Sequence, residues 1–294
     1  MDFDYFRKIV DGISPMIKKA SRFQLSTIEA LYHKRVFDMM DYVSGCNKDI
    51  IFPLLTNGML LNEQRIHEIC RRNIPSVTIS LDGYRKETVE SFKTGVDFDR
   101  VVENIRLIKK IAGNKLQVDT IFVATEKNIG ELEGYIDFCA DLGVDVVFIN
   151  GFMCFLPENS GLYLYSKDGN PEVFKLFERV FAKAEKRGLT VKFPSLTARP
   201  TGCELTQSVF IGERGDVSPC VLLARPTPME LFSQTNVPGP VVYGNVLEED
   251  LMEIWNKKEF RQFREKSGSR NLPQECRLCA DAYGVICSGR TMRP

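Results

Sequence analysis

The chain of 294 residues carries 39 Lys and Arg against 39 Asp and Glu, so its formal net charge is zero. A hydrophobic fraction of 44% with a charged fraction of 27% is typical of a folded globular protein and excludes a disordered one. The lack of a basic excess argues against nucleic acid or an anionic membrane as the main partner. No apolar run reaches the roughly 18 residues of a membrane span, and the start MDFDYFRKIV lacks the pattern of a signal peptide. A cytoplasmic protein of about two domains is therefore expected.

Amphipathic helices and apolar strands alternate along the first half of the chain. Helical apolar spacing predicts helices over residues 3–17, 33–43, 62–70, 97–108 and 128–143. Short apolar runs predict strands over residues 23–28, 50–58, 76–83, 117–125 and 145–152. Asn62 and Asp97 stand at expected N-caps, and Asn128 with Glu131 matches a capping box. The alternation favours an α/β fold whose parallel sheet is either a partial barrel or open.

Polar residues follow the apolar runs at the points where the predicted strands end. Ligands of parallel sheets gather at the carboxyl ends of the strands. The strand ends here carry Glu29, residues 56–58, residues 80–83, Thr125 and residues 150–151. The sequence therefore predicts a ligand site along this edge of the sheet.

Regularity decreases after residue 155. A helix is predicted over residues 172–187, and residues 208–223 are typical of a hairpin that turns at residues 214–216. Residues 251–263 form a short helical region with the only tryptophan. A boundary near residue 190 is expected, which divides the chain into domains 1–190 and 191–294.

Nine cysteines are an unusual number for a chain without an export signal. Disulfides are rare in reducing compartments, so metal ligation or reactive thiols become the stronger interpretations. Five of them crowd the last third of the chain, as Cys203, Cys220, Cys276, Cys279 and Cys287. Five thiolates in a loop-rich domain suffice for one four-coordinate site that holds zinc or an iron–sulfur cluster. The alternative is that they are small buried apolar side chains.

The four earlier cysteines show no ligand spacing. Cys70 and Cys139 fall on apolar helix faces and are expected in the core, while Cys46 and Cys154 receive no role. The two histidines share no motif, and neither GxGxxG nor GxxxxGK[ST] occurs. Hydride transfer on a Rossmann fold and P-loop chemistry are therefore disfavoured.

Three motifs in order, TNG at 56–58, SLDG at 80–83 and FDRVVENIRLI at 98–108, closely resemble the middle of a radical S-adenosylmethionine (SAM) enzyme barrel. The tail resembles the SPASM or twitch auxiliary-cluster domain that many such enzymes carry. Its pattern here is Cys203, eleven residues, Gly215, four residues and Cys220. A GNV…L.EIW…F…R stretch follows at 244–264, and then the three last cysteines.

The resemblance implies a partial (β/α)6 TIM-like barrel that lacks its first strand, followed by a small SPASM-like domain of a Cys-rich β-hairpin plus helix. It implies a SAM pocket lined by Glu29, Asn57, Ser80 and Asp82, and one auxiliary 4Fe–4S cluster on four of the five late cysteines. The activity implied for the family is radical-based maturation of a peptide, protein or cofactor. The implied partners are a peptide or protein substrate and an electron donor, with no nucleic acid and no membrane.

Two departures from the family pattern bear on activity. The sequence contains no CxxxCxxC loop, whose three thiolates hold the SAM-binding cluster in the family, so SAM is expected only if such a loop lies upstream. The GGE-type motif is replaced by residues 27–30, in which Glu29 remains and the glycines do not. The chain is therefore expected to be inactive or a fragment, whose missing strand leaves an edge that aggregates or pairs through residues 21–29. The alternative is a non-catalytic iron–sulfur or zinc scaffold or electron-transfer protein.

Overall fold

The computed structural model describes residues 1–26 and 28–286. Its helices are α1 Phe3–Ile17, α2 Val36–Cys46, α3 Glu63–Cys70, α4 Lys86–Phe92, α5 Phe98–Ala112, α6 Leu132–Asp141, α7 Pro171–Arg187, α8 Leu251–Asn256 and α9 Lys258–Ser267. Its strands are β1 Leu54–Thr56, β2 Ser76–Ser80, β3 Gln117–Ala124, β4 Val146–Gly151, β5 Thr190–Lys192, β6 Phe210–Ile211, β7 Asp216–Ser218, β8 Met229–Leu231, β9 Gln234–Asn236 and β10 Gly244–Asn245. None of the helices in these ranges combines the length and the apolar character that crossing a bilayer requires.

The first five strands form one parallel sheet in the order β1-β2-β3-β4-β5, which confirms the predicted α/β class and its partial TIM-like barrel. Val77 pairs with Leu54 on one side and Val118 on the other, so the register is continuous across the first three strands. Val77, Val118 and Phe122 are fully buried. Burial of this kind is usual for parallel sheets covered by helices, and it explains why these strands are apolar runs.

Two predicted N-caps are confirmed. The Asn62 side chain accepts a hydrogen bond from Arg65 N at the start of α3, and Asp97 does the same for Arg100 N at the start of α5. Each bond satisfies a backbone donor that the first helical turn leaves without a partner. Helix α4 and strand β5 are elements that the sequence pattern did not predict.

The strand predicted over residues 23–28 is wrong. Among the described residues of this segment and its flanks, only Arg22 pairs with Ile51 in a single parallel bridge. Local side-chain bonds take over beyond it, since Ser26 Oγ accepts from Ile28 N and Glu29 Oε1 accepts from Leu31 N. Side chains that bond nearby backbone groups compete with sheet pairing in this way.

The predicted hairpin in the tail is confirmed, as β6 and β7 pair antiparallel and β10 joins β7 from the other side. Its turn ends at Gly215, which has φ +86° and faces Asn245 Oδ1 so closely that a Cβ would lie 2.6 Å from it. Glycine is required at this position for both reasons. A second hairpin, β8–β9, was not predicted.

The chain divides into two compact units. Within the described ranges, the sheet unit consists of Ala20–Asn150 and Pro171–Pro194, and the cysteine-rich unit consists of Met1–Lys19, Gly151–Asn170 and residues 195–286. Each unit is therefore built from separated stretches of sequence. The domain limits 1–190 and 191–294 stay a prediction.

Candidate radical SAM site and cysteine cluster

Glu29 lies at the carboxyl end of β1 in the sheet unit. Its Oε2 accepts hydrogen bonds from Thr56 Oγ1 and from Asn57 N, both at 2.8 Å, and its Oε1 accepts from Leu31 N at 3.2 Å. The structure thus brings the predicted residues Glu29 and Asn57 together. It also uses most of the accepting capacity of this carboxylate within the chain itself.

The TNG motif is a tightly held turn. Thr56 Oγ1 accepts from Gly58 N at 3.1 Å, and Asn57 Oδ1 accepts from Met59 N at 2.9 Å. Gly58 has φ +80°, and Asn104 donates to its carbonyl at 2.8 Å. A side chain at this glycine would be strained, so the motif has a structural reason independent of any ligand.

Ser80 and Asp82 are joined by a lysine that the sequence analysis missed. Lys93 Nζ donates to Ser80 Oγ at 2.6 Å and to Ser80 O at 3.0 Å, and it lies 2.9 Å from Asp82 Oδ2. The other carboxylate oxygen of Asp82 accepts from Val123 N at 2.9 Å. Lys93 follows the unpredicted helix α4, so no motif pointed to it.

The capping box predicted at Asn128 and Glu131 is wrong. Asn128 Oδ1 accepts from Thr125 N and Oγ1, while its Nδ2 donates to Asp82 O and Val123 O. Asn128 is 1% exposed, and these four bonds tie the end of β2 to the end of β3. A buried polar side chain with every hydrogen bond satisfied rigidifies its surroundings.

Glu131 also has a long-range role. Its Oε1 accepts from the Thr88 hydroxyl, and its Oε2 accepts from Tyr84 N at 3.3 Å. Helix α6 begins only after it, behind a 3₁₀ turn over Ile129–Glu131. The carboxylate therefore holds the loop after β2 rather than the start of a helix.

The strand ends offer a ligand a specific set of polar atoms. Because a lysine ammonium only donates, Ser80 Oγ accepts from Lys93 and keeps its own hydrogen for donation outward. Asn57 and Ser80 are half-buried, whereas Asp82 is 5% exposed. Ile28 points its side chain into solvent, 80% exposed, and does not fill this edge. Hydroxyl, amide and carboxylate groups at the strand ends offer hydrogen-bond donors and acceptors to a polar ligand.

The late cysteines lie close together in the cysteine-rich unit. Cys276, buried in a small apolar cluster, packs with the half-buried Cys220 and Cys279. Burial raises the pKa of the Cys276 thiol, and the thiols of Cys279, Cys220 and Cys203 raise it further. A charge is felt this way only at short range, so the four described cysteines of the predicted set share one neighbourhood.

The CxxC segment forms the turn that its spacing predicts. Cys279 N donates to Cys276 O at 3.1 Å, and burial raises the pKa of Cys279 to about 11. Cys203 Sγ lies 3.8 Å from Asp281 Oδ2. Cys287 lies outside the described residues. Within the described ranges, no three Cys, His, Asp or Glu side chains gather tightly enough for a single metal ion.

Two earlier cysteines test the core prediction. Cys139 is fully buried beside Thr120 Oγ1 at 3.7 Å, as predicted. Cys70 is exposed, so its predicted core position is wrong. It is the last residue of α3, beyond the buried Ile66 and Ile69, where the apolar face of the helix has ended.

Comparison with known proteins shows what the chain is similar to. The model of the radical SAM superfamily matches residues 1–139, and that of the SPASM iron–sulfur cluster-binding domain matches residues 203–280. The tungsten-containing aldehyde ferredoxin oxidoreductase cofactor-modifying protein of Pyrococcus furiosus is 22% identical over 271 residues, which cover 90% of this chain and 75% of the relative.

Two solved structures share the fold. Native anSMEcpe with bound AdoMet is 16% identical with a TM-score of 0.66, over 98% of this chain and 80% of that one. Streptococcus suis SuiB bound to precursor peptide SuiA is 13% identical with a TM-score of 0.61, over 95% of this chain and 63% of that one, so the chain spans less than two thirds of SuiB. The radical SAM match over residues 1–139 and the cluster-binding match over residues 203–280 confirm the resemblance of this chain to radical SAM superfamily proteins with a C-terminal SPASM domain.

Proposed function

We propose that this protein binds one auxiliary 4Fe–4S cluster in its SPASM domain and SAM at the carboxyl edge of its sheet. The parent activity is radical-based maturation of a peptide, protein or cofactor in the cytoplasm, for which this chain is inactive or a fragment. The residues assigned to the cluster are four of Cys203, Cys220, Cys276, Cys279 and Cys287, and those assigned to SAM are Glu29, Asn57, Ser80 and Asp82.

The shared neighbourhood of Cys203, Cys220, Cys276 and Cys279 is the observation that carries the cluster assignment. The match of residues 203–280 to an iron–sulfur cluster-binding domain favours a cluster over a single zinc ion. Such a cluster supplies one-electron transfer when bound.

The strand-end residues are suited to orient a nucleoside sulfonium ligand. Ser80 has a hydroxyl hydrogen to donate because Lys93 already donates to its oxygen. Asp82 is held in place at both oxygens, by Lys93 and by Val123 N, so a ligand meets a fixed carboxylate. Asn57 is anchored through its backbone to Glu29 and presents its side chain at the same edge.

The proposed substrate is a peptide or a cofactor, with an electron donor as second partner. The Pyrococcus relative is a cofactor-modifying protein, and SuiB is bound to a precursor peptide. Because the printed sequence contains no CxxxCxxC motif, we propose that this chain alone does not cleave SAM.

Anaerobic purification of the full chain tests the cluster. We expect a brown protein with about four iron atoms and about four sulfides per chain, and a Cys276→Ser variant that loses most of the iron. Cys70→Ser is the matched control because this thiol is exposed and outside the set. Stoichiometric zinc with little iron would contradict the proposal.

A non-catalytic scaffold is the second candidate, and Glu29 favours it. Its carboxylate already accepts three hydrogen bonds from the chain, so little capacity remains for a ligand amine. Calorimetric titration of the purified protein with SAM separates the two candidates. Binding that weakens in Asn57→Ala supports the SAM site, whereas no heat in the wild-type protein supports the scaffold.

A further inference from the structure

A buried acidic cluster in the cysteine-rich unit has no place in the proposed function. It consists of Cys154, Tyr163, Tyr165, Glu230 and Ser233, and we call it the Glu230 cluster. Glu230 is 2% exposed, and its Oε1 accepts from Ser233 N at 2.7 Å. Its Oε2 is buried without a hydrogen-bond partner among the described residues. Leaving a buried polar atom without a partner costs about 1–3 kcal/mol, more when it is charged.

The neighbours of Glu230 do not compensate its charge. The Cys154 thiol donates to Leu156 O at 3.0 Å and also lies within hydrogen-bonding reach of the Glu230 side chain. Burial and then the hydrogen bond with Glu230 raise the pKa of Cys154 to about 11, and burial and then the charge of Glu230 raise the pKa of Tyr163. Both neighbours are thus held in their neutral form, and the carboxylate faces no cation from them.

The backbone that positions Glu230 is strained. Phe232 and Ser233 join β8 to β9 with φ of 54° and 61°, where Asn and Gly are the usual residues. Each non-glycine residue in this region costs on the order of 1–2 kcal/mol. Strain and an unpaired buried carboxylate at one place are typical of a functional site.

Aromatic rings form one wall of the cluster. Tyr163 and Tyr165 stack with centroids 4.8 Å apart, and Phe232 meets Tyr165 edge to face at 6.4 Å. Ring faces attract cations. The molecule already shows this attraction at the edge of the cluster, where Lys167 Nζ lies 5.4 Å from the centroid of Phe232.

We propose that the Glu230 cluster binds a primary ammonium group, with Glu230 Oε2 as its acceptor and the tyrosine rings as its wall. The single available oxygen, Oε2, favours an ammonium over a guanidinium. A guanidinium prefers to bind both carboxylate oxygens, and Oε1 already accepts from Ser233 N. If the proposed peptide substrate is correct, the ammonium is a lysine side chain or an amino terminus of that peptide.

The β8–β9 ribbon provides the entry. Ser233 is exposed and Tyr163 is half-buried, so the cluster lies just below the surface. Outside its own pairing, the ribbon is bridged to Cys154 through Glu230 N and Cys154 O at 2.9 Å. Because β8 itself is buried, with Leu231 and Met229 in the two apolar clusters, the entry is assigned to the exposed Ser233 end of the ribbon.

The test uses the full-length, anaerobically purified protein and small probes. n-Pentylammonium mimics a lysine side chain, glycinamide mimics an amino terminus, and 1-pentanol is the neutral control. We expect one of the two cations to raise the unfolding temperature with a millimolar Kd, and 1-pentanol to leave it unchanged. Equal effects of the cations and 1-pentanol would overturn the proposal.

Glu230→Gln gives a second readout that a structural carboxylate would not produce. The substitution keeps an oxygen for Ser233 N and removes a buried charge, so we expect an unfolding temperature higher by about 2 °C or more and loss of the cation effect. Glu213→Gln, at a carboxylate 61% exposed, is the control and retains it. A lower unfolding temperature together with a retained cation effect would refute the site. The assay involves no radical chemistry, so its result tests the ammonium site independently of the proposed radical SAM function.

Discussion

Replacing Lys93 by methionine removes the ammonium that joins Ser80 to Asp82 while keeping most of the side-chain volume. The ammonium of Lys93 uses all three of its donors, on Ser80 Oγ, Ser80 O and Asp82 Oδ2. The Asp82 side chain is 8% exposed and that of Lys93 is 24% exposed. Without Lys93, a nearly buried carboxylate keeps, among its partners in the described residues, the bond from Val123 N.

The expected cost follows from these exposures. Removing one partner of a fully buried pair costs about 3–5 kcal/mol. Lys93 is one quarter exposed, and the lost pair is screened by solvent on that side, so we expect Lys93→Met to lower the free energy of unfolding by about 2 kcal/mol. Combining it with Asp82→Asn, which removes the stranded charge, restores about 1 kcal/mol of the summed loss.

Urea unfolding of the two single variants and the double variant measures this coupling. The m-value stays constant, because the surface exposed on unfolding is the same. Lys175→Met is the control, since Lys175 pairs with Glu172 at 3.2 Å with side chains 64% and 84% exposed. Its effect stays within about 0.5 kcal/mol. A Lys93→Met loss no larger than the control refutes the argument.

Three further variants test other parts of the structure. Asn128→Ala removes the partner of three backbone groups, two of them in buried bonds, and lowers stability by about 3 kcal/mol in thermal unfolding; a loss under about 1 kcal/mol would contradict its role. Burial raises the pKa of Asp119 above 3.8, against hydrogen bonds from Gln117, so ionisation costs stability as the pH rises through the raised pKa. Asp119→Asn is therefore more stable than the wild-type protein near neutral pH, an advantage that disappears below about pH 4; a constant difference across pH denies it. Cys276→Ser loses iron in metal analysis while Cys70→Ser retains it, and equal retention would remove Cys276 from the ligand set.

Local patterns in the sequence predicted the sheet well. The caps at Asn62 and Asp97 act three residues away, so their function is visible in the sequence itself. The apolar residues Val77 and Ile79 of β2 are fully buried, and most of β3 is buried as well, so apolar residues at these positions correctly indicated the sheet. Sequence periodicity therefore identifies contacts between residues close in sequence and the buried face of a helix or strand.

Residues that act over long distances in sequence were missed or misassigned. Asn128 looks like a helix cap, but its Nδ2 bonds Asp82 O, which is 46 positions away. Helix α4 buries only Val89 among its residues, so it lacks the apolar face that predicts a helix. Lys93 directly follows α4, so the sequence analysis that missed this helix also missed the lysine.

The strand-end residues and the late cysteines differ in how far the sequence alone identified them. Candidate ligand cysteines are recognisable because a metal cluster needs several thiols at once. Their spacing can be read from the sequence without knowledge of the fold. Polar residues at strand ends carry no such redundancy, since each also forms turns and internal bonds, as Glu29 and Asn57 do here. Asp82 was identified from its position at a strand end. Its partner Lys93 lies 13 positions from Ser80 and contacts Ser80 only because of the fold. The net charge of a strand-end site therefore depends on residues of the connecting helices. Here Lys93 distinguishes the Ser80–Asp82 strand end, as a candidate ligand site, from a turn that is stabilised by its own hydrogen bonds alone.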